Sequence, residues 1–422
     1  MKLPKLITPL LISAAMLSSV SCGNEQVIKQ QEQQTSITLS WWGNDKRNDY
    51  TIEAMQIFEE MYPDIKVMCN YSEWSGYEAR TRVRMASDTE SDVMQINVGW
   101  LKEYSPDGNG YYDIEKLSDY VDLSSFPEEM LEYGRVNGVL NAVPIAMNAQ
   151  TVYINRSVYE KYGLDVPETW DDLFSAAKVM SADGVYPISA GSKSTWLTAI
   201  AYAEQQSGKP ILNDDGSLCF GQEEFRIMIG FYCDMVNNNV MPQVEFYERI
   251  NIDNGTYAGT IAWVSDAVNY CGKAMETGFD VVPGPYLTNG KVRPGDGWYA
   301  KPATLYAISK NTEHPREAAM LLNYMLNSKE MAVLQGVEKG IPISSSAREF
   351  LDEEGQLTGL QYDASVVMET NSRIRKMDPF LENASLIDTY VENCDLVLYD
   401  KGTIEEASDA LYQAVREARN SK

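Results

Sequence analysis

The chain has 422 residues, with 35 Lys and Arg against 61 Asp and Glu, a formal charge of −26, and a single histidine, His314. So acidic a chain lacks the basic face that displaces counterions from a phosphate backbone, which excludes nucleic acid as a partner. One histidine forbids a two-histidine zinc motif and leaves acid–base work to carboxylates. At 44% hydrophobic and 23% charged the composition is that of an ordinary globular protein, and at about 150 residues per domain its length suggests two or three domains.

Lys2 and Lys5 precede an apolar run over residues 6–17 and then small residues up to Ser21-Cys22, the three-part layout of an export signal. The run is too short to span a membrane. A cysteine directly after a small residue resembles a bacterial lipoprotein signal, although Ser19 stands where leucine is preferred. That resemblance implies cleavage of residues 1–21, a lipid on Cys22, and a flexible tether over residues 22–36, a polar, aperiodic stretch with five glutamines between Gln26 and Gln34. The remaining cysteines, Cys69, Cys219, Cys233, Cys271 and Cys394, show neither C-x-x-C nor repeated spacing. They read as small buried apolar residues, with no disulfide framework, metal site or cofactor.

Ile37, Leu39 and Trp41 alternate with Thr38 and Ser40, which predicts a first strand. Ile52, Met55, Phe58 and Met61 then recur at helical spacing, with Asn48 or Asp49 as N-cap and Pro63 as the stop. Alternation returns at Ile65, Val67, Cys69 and Tyr71, a helix fits residues 76–87, and residues 93–98 read as a buried strand. Strand, helix, strand, helix, strand with short connections is an α/β layer whose strand ends feed ligand-facing loops. Asp107-Gly108-Asn109-Gly110 opens like a calcium loop, but Tyr112 and Ser118 stand where that loop needs Gly and Glu, so it reads as a turn. The pattern restarts at Thr151: residues 152–154 as a strand, 170–180 as a helix, 186–188 as a strand and 196–206 as a helix. Asn213-Asp214-Asp215-Gly216 is a hairpin signal, and residues 225–237, 316–327 and 403–418 are further helices.

Four stretches in this order resemble the extracellular solute-binding proteins of ABC importers, in particular the sugar-binding group that includes maltodextrin-binding protein. They are Leu39-Ser40-Trp41-Trp42-Gly43-Asn44-Asp45 with the helix running into Tyr62-Pro63-Asp64-Ile65; Ser91 to Asn97; Val143-Pro144-Ile145-Ala146 through Asn155; and Gly259-Thr260-Ile261-Ala262-Trp263, followed by Gly297-Trp298 and Ala307-Ile308-Ser309-Lys310. The resemblance implies the periplasmic-binding-protein-like II fold: two α/β lobes with a hinge of three chain crossings. By similarity the crossings lie near Asn148, residues 300–304 and residues 336–342. Residues 37–147 with 303–339 would form lobe one, and 148–302 with 340–422 lobe two. Only the first boundary also follows from the restarted alternation.

A sugar offers C–H faces to flat aromatics and hydroxyl edges to carboxylates and amides. The chain has 8 Trp and 26 Tyr against 10 Phe, an excess of aromatics with a polar handle. Trp42, Trp74, Trp100, Trp196, Trp263 and Trp298 sit at strand ends or in loops and are the stacking candidates, whereas Trp170 follows a helix-start pattern and reads as structural. Asn44, Asp45, Glu73, Asn97, Asn148 and Asp266 are the polar candidates, with Asn148 at the expected first crossing. Arg373 and Arg375 read as a solvated face. The resemblance implies a monomeric, non-catalytic receptor for a carbohydrate, held by lipid on the outer face of the cytoplasmic membrane or in a periplasm, with an ABC permease as partner. A receptor for a polyamine or another polar solute is the alternative. An exported glycoside hydrolase, working through two of the many carboxylates, is a remoter one.

Overall fold

The computed structural model describes residues 34–420. The expected export signal, Cys22 and nearly all of the tether lie outside the described residues. The first strand, β1 (Thr35–Trp42), starts inside the segment assigned to the tether, where the Thr35 N–H donates to the Asp64 carbonyl at 2.8 Å. Alternation buries Ile37, Leu39 and Trp41. Asn44 caps α1 (Asp45–Met61), its side chain accepting from the Arg47 N–H. β2 (Ile65–Ser72) pairs parallel with β1 along its whole length, α2 (Trp74–Ala86) follows, and β3 (Val93–Ile96) lies parallel on the other side of β1. Short elements complete this part of the first lobe: α3 (Gly99–Tyr104), α4 (Glu128–Leu131) and the hairpin of β4 (Arg135–Val136) and β5 (Val139–Leu140). The Asp107 segment is a turn in which the Asp107 carboxylate accepts from the Asn109 N–H.

The chain leaves this lobe along β6 (Ala142–Asn155), a strand of 14 residues, every one buried. Residues 142–149 pair with β9, and 150–155 pair with β7 and β8. The fresh strand expected at residue 152 is therefore the continuation of one strand. Pro144 donates nothing to a ladder, and the register shifts between Pro144 and Met147 loosen the pairing where the strand passes between lobes. The second lobe carries α5 (Arg156–Lys161), α6 (Trp170–Met180), α7 (Ser192–Ser207), α8 (Gln222–Asn237), α9 (Ile250–Asp253), β7 (Gly259–Trp263), α10 (Ala267–Glu276) and β8 (Val281–Pro283). Residues 186–188, expected as a strand, make only an isolated bridge from Tyr186 to Tyr257. The return path is β9 (Tyr299–Ile308), antiparallel to both β6 and β3, which gives the sheet order β2-β1-β3-β9-β6-β7.

α11 (Pro315–Asn327) and α12 (Lys329–Gln335) pack back on the first lobe, and residues 336–343 then pass beside β6. Pro342 bridges Ala146, and the Ile343 N–H donates to the Ile145 carbonyl at 2.9 Å. Gly340 is needed here: its φ is 103°, and a Cβ would stand 2.8 Å from that of Ala146. The lobe boundary expected at residue 340 requires correction. α13 (Ser345–Glu353) stays with the first lobe, because Ala347 and Leu351 close an apolar cluster with Ala332 of α12, and the Ser345 N–H donates to the Ser125 carbonyl. Only α14 (Leu360–Glu369) reaches β8 and α10 of the second lobe. β10 (Arg375–Lys376) adds to β9 there, and α15 (Ala384–Leu398) and α16 (Ile404–Asn420) pack on α7 and α8. Among the described residues no helix is long and apolar enough to cross a membrane.

Candidate functional site

The cleft between the lobes opens into two cavities. One, of about 590 Å³, is walled by Trp42, Asn44, Glu73 and Trp74 from the first lobe and by Ser265, Asp266 and Asn269 from the second, over a floor of residues 333–338. The other, of about 710 Å³, is walled by α3 and the β4–β5 hairpin on one side and by residues 212–216 and 375–381 with Arg419 on the other. Both volumes suit a small ligand.

An aromatic stack is built upward from the first lobe's core. Alternation at the end of β1 turns Trp41 inward, stacked on Tyr71 with its ring N–H on Asn48 Oδ1 at 3.0 Å, and leaves Trp42 facing out. Trp100 and Tyr77 are buried and lie parallel at 6.0 Å. On Trp100 rests Trp74, parallel at 5.7 Å and 38% exposed, with Trp42 edge-on at 4.9 Å. One Trp74 face is thus fixed on Trp100 and the other is open. Trp100 supports the platform and does not form its surface.

The polar candidates divide. Asn44 and Glu73 are exposed on the first cavity's wall, Asn44 also serving as the helix cap. Asp266 faces them from the other lobe; burial pushes its carboxyl up, with Asn269, Arg47 and Lys193 working against that rise. Asp45 is exposed in the first turn of α1 and lines neither cavity. Asn97 is spent on a turn, accepting from the Gly99 N–H at 2.9 Å. Asn148 is buried and gives both ends of its amide to Ser265, at 2.9 Å to the hydroxyl and 3.2 Å from the N–H. It ties the crossing strand to the turn that carries Asp266.

Two tryptophans leave the candidate set. Trp298 is buried between Trp170, parallel at 6.1 Å, and Tyr286, with its ring N–H on the Leu287 carbonyl. The turn before it drives the ring inward: Gly297 has φ 81° and sits against Ala201, where a Cβ would meet the carbonyl oxygen at 2.7 Å. Trp196 is fully buried beside Tyr390, its N–H on the Leu381 carbonyl at 2.9 Å. Trp263 is half-buried, lines neither cavity, and has the Lys301 ammonium 4.8 Å over its ring. Lys301 is in turn held by Glu382 at 2.5 Å, a carboxylate it shares with Lys193 at 3.0 Å.

Sequence reasoning missed the cations. Arg47 pairs with Glu338 at the floor of the first cavity. Lys102, Arg135, Arg375, Lys376 and Arg419 all line the second. Arg375, read as solvated, lies over the Tyr299 ring and pairs with Glu204 at 3.2 Å, while Arg373 stays outside on Asp296. These side chains come from five distant segments, so no local motif announces them. Among the described residues no group of three or more His, Cys, Asp or Glu is placed to hold a metal.

The sequence profile of the bacterial extracellular solute-binding proteins matches residues 44–332. A periplasmic solute-binding protein from Pectobacterium atrosepticum has TM-score 0.84 at 28% identity, over 92% of this chain and 99% of that one. A periplasmic oligogalacturonide-binding protein from Yersinia enterocolitica, in complex with saturated digalacturonic acid, has TM-score 0.79 at 28% identity over the same shares. The multiple sugar-binding protein of Streptococcus mutans is 22% identical over 345 residues, 74% of this chain and 76% of that one. An uncharacterized ABC-transporter extracellular-binding protein of Pyrococcus horikoshii is 24% identical over 205 residues, so that the match takes in about half of that relative's length, 46%, and 45% of this chain. A de novo designed cysteine esterase also has TM-score 0.84 at 28% identity, over 92% of this chain and 99% of that one. Here burial pushes the thiols away from the reactive thiolate, Cys69 to about 11 and Cys233 and Cys271 to about 12, and among the described residues no cysteine lines either cleft cavity.

Proposed function

The chain belongs to the bacterial extracellular solute-binding proteins, and we propose from this that it captures a saccharide between its lobes and hands it to the permease of an ABC importer. The open face of Trp74 beside Trp42 carries the reading. It is an apolar plane, rigid because Trp100 backs it, with carboxylates and amides within the same cavity to take the hydroxyl edges. The relatives from Yersinia and Streptococcus, by the sugars in their names, support the same class. A sugar face covering roughly 100 Å² of indole at about 25 cal/mol/Å² gains near 2.5 kcal/mol. Micromolar binding takes about 8 kcal/mol, so the hydrogen bonds of both walls are needed as well.

A polyamine is the second reading, and one observation favours it: Glu73 and Asp266 line the cavity of the tryptophans, and among the described residues neither is in an ion pair. A thermal-shift screen with neutral and acidic mono- and oligosaccharides beside spermidine separates the two, since a ligand of the folded state raises the melting point by mass action. Stabilisation by spermidine alone would refute the saccharide. In this reading the protein performs no chemistry on its ligand, and a bound oligosaccharide releases no new reducing ends. Cys22 anchors the mature chain through lipid on the outer side of the cytoplasmic membrane, and labelled palmitate is expected to enter the wild type but not Cys22→Ala.

A further inference from the structure

The charge of the second cavity runs against that of the chain. Eight ionisable side chains other than tyrosine line it: Lys102, Arg135, Arg375, Lys376 and Arg419 against Asp214, Asp215 and Asp378. Two of the cations are neutralised from behind. Arg135 is gripped by Glu115, Glu128 and Glu132 at 2.7, 2.8 and 2.9 Å, and Arg375 by Glu204. Asp214 and Asp215 sit at an exposed turn, where Asp215 is bound to Ser217. That leaves Lys102, Lys376 and Arg419 around the single carboxylate of Asp378. Arg419 is 3.7 Å from it and Lys102 3.9 Å, both loose. Among the described residues Lys376 has no carboxylate within ion-pair distance; its ammonium stands 4.7 Å over the Tyr133 ring and 3.5 Å from the Glu132 carbonyl.

We propose that the saccharide is a uronate oligomer and that Lys102, Lys376 and Arg419 read one of its carboxylates. The inference rests on the saccharide reading of this cleft. Lys102 belongs to the first lobe, and Lys376 and Arg419 belong to the second. Like charges facing across a cleft oppose closure, and an anion between them turns that repulsion into a bridge. Burial, with the nearby Lys102, holds the Lys376 ammonium below its ordinary value, and the carboxylates of Glu132 and Asp378 offset this only in part.

Calorimetric titration of the full-length protein with galacturonate and glucuronate oligomers of two to four units, their methyl esters, and galactose 6-phosphate tests this. The acid forms are expected to bind about tenfold or more tighter than the esters and to weaken with added salt. Lys376→Gln, and separately Lys102→Gln, should cost the acid forms about tenfold while leaving ester binding and the melting temperature unchanged. Esters binding as tightly as acids, or both variants binding the acids normally, overturns the proposal. So does binding of galactose 6-phosphate in preference to every uronate. If neutral oligosaccharides bind and no uronate does, the charge assignment falls and the saccharide reading stands. If no saccharide binds at all, both fall.

Discussion

Truncation of two tryptophans should have opposite consequences. Trp74→Ala removes a ring that is 38% exposed and meets the protein through one face on Trp100 and an edge on Trp42. Its folding cost is limited to those contacts, about 0.5–1.5 kcal/mol for an aromatic pair. Binding should lose the open face, about 2–2.5 kcal/mol or roughly 30- to 70-fold in affinity. Trp298→Ala empties a core site packed against Trp170 and Tyr286 and removes one of the two hydrogen bonds to the Leu287 carbonyl, the other coming from Gln205, which should cost about 3–5 kcal/mol of stability. Titration calorimetry with the ligand found by thermal shift, beside urea unfolding of both variants, reads the two quantities. Trp298→Ala that still folds should bind within a few-fold of wild type, because its ring lies away from both cavities. Normal binding by Trp74→Ala, or loss of binding by a folded Trp298→Ala, would refute the division of these residues into platform and core.

Lys339 is buried with its ammonium on the Tyr306 hydroxyl at 2.8 Å, and burial, reinforced by Arg47 and only partly offset by Glu338, pushes it down to about 7. Its unfolded value is about 10.4, so between pH 7 and 10 the unfolded chain holds a proton that the folded one lacks, and stability contributed here rises with pH. Urea unfolding at pH 7 to 9 should show a gain of up to about 1.4 kcal/mol per pH unit over Lys339→Met, and parallel profiles would count against it. Saturating ligand should lower the radius of gyration in solution scattering, as a closing hinge requires; an unchanged value would speak for a rigid cleft.

The parts legible in sequence were those where local pattern and three-dimensional environment coincide. β1 is buried on one side, so its alternation told Trp41 from Trp42, and α1 showed its helical spacing plainly. β6 carries no alternation, because both of its faces are buried, and of its 14 residues only 152–154 read as a strand, with a lobe boundary placed before them. The direction of a loop tryptophan depends on the turn before it. Gly297 sends Trp298 into the core, while Trp74, as the first residue of α2, is held at the surface, and neither outcome is encoded in the residue itself. α13 was assigned to the wrong lobe because its partner, Ala332, is a single buried alanine on the short helix α12, and one small residue makes no periodicity that would reveal the contact. The cations of the second cavity were invisible for the same reason at longer range. Arg135 and Arg375 are 240 positions apart in the chain and line one cavity, from opposite sides, only once it has crossed between lobes.

The placement of these groups bears on how a ligand would drive closure. A ligand shifts an equilibrium between open and closed forms only by binding one better than the other. The aromatic platform belongs entirely to the first lobe, since Trp42, Trp74, Tyr77 and Trp100 are all borne by β1, α2 and α3. Asp266, Lys376 and Arg419 belong to the second. A ring resting on Trp74 in an open cleft would therefore meet the stacking plane with Asn44 and Glu73 of the same lobe, and reach Asp266 and the opposite cations only as the lobes approach. The Asn148 amide, by holding Ser265, keeps the wall that bears Asp266 fixed to the crossing strand, so that wall moves with β6 and not independently. β6 and β9 run unbroken through both lobes, and the register shifts at Ala146, with Gly340 packed against it, mark where the pairing is loose enough to twist. With the proposed contacts divided across that hinge, a ligand would bind the closed form better than the open one, whereas a site built wholly on one lobe would bind without closing.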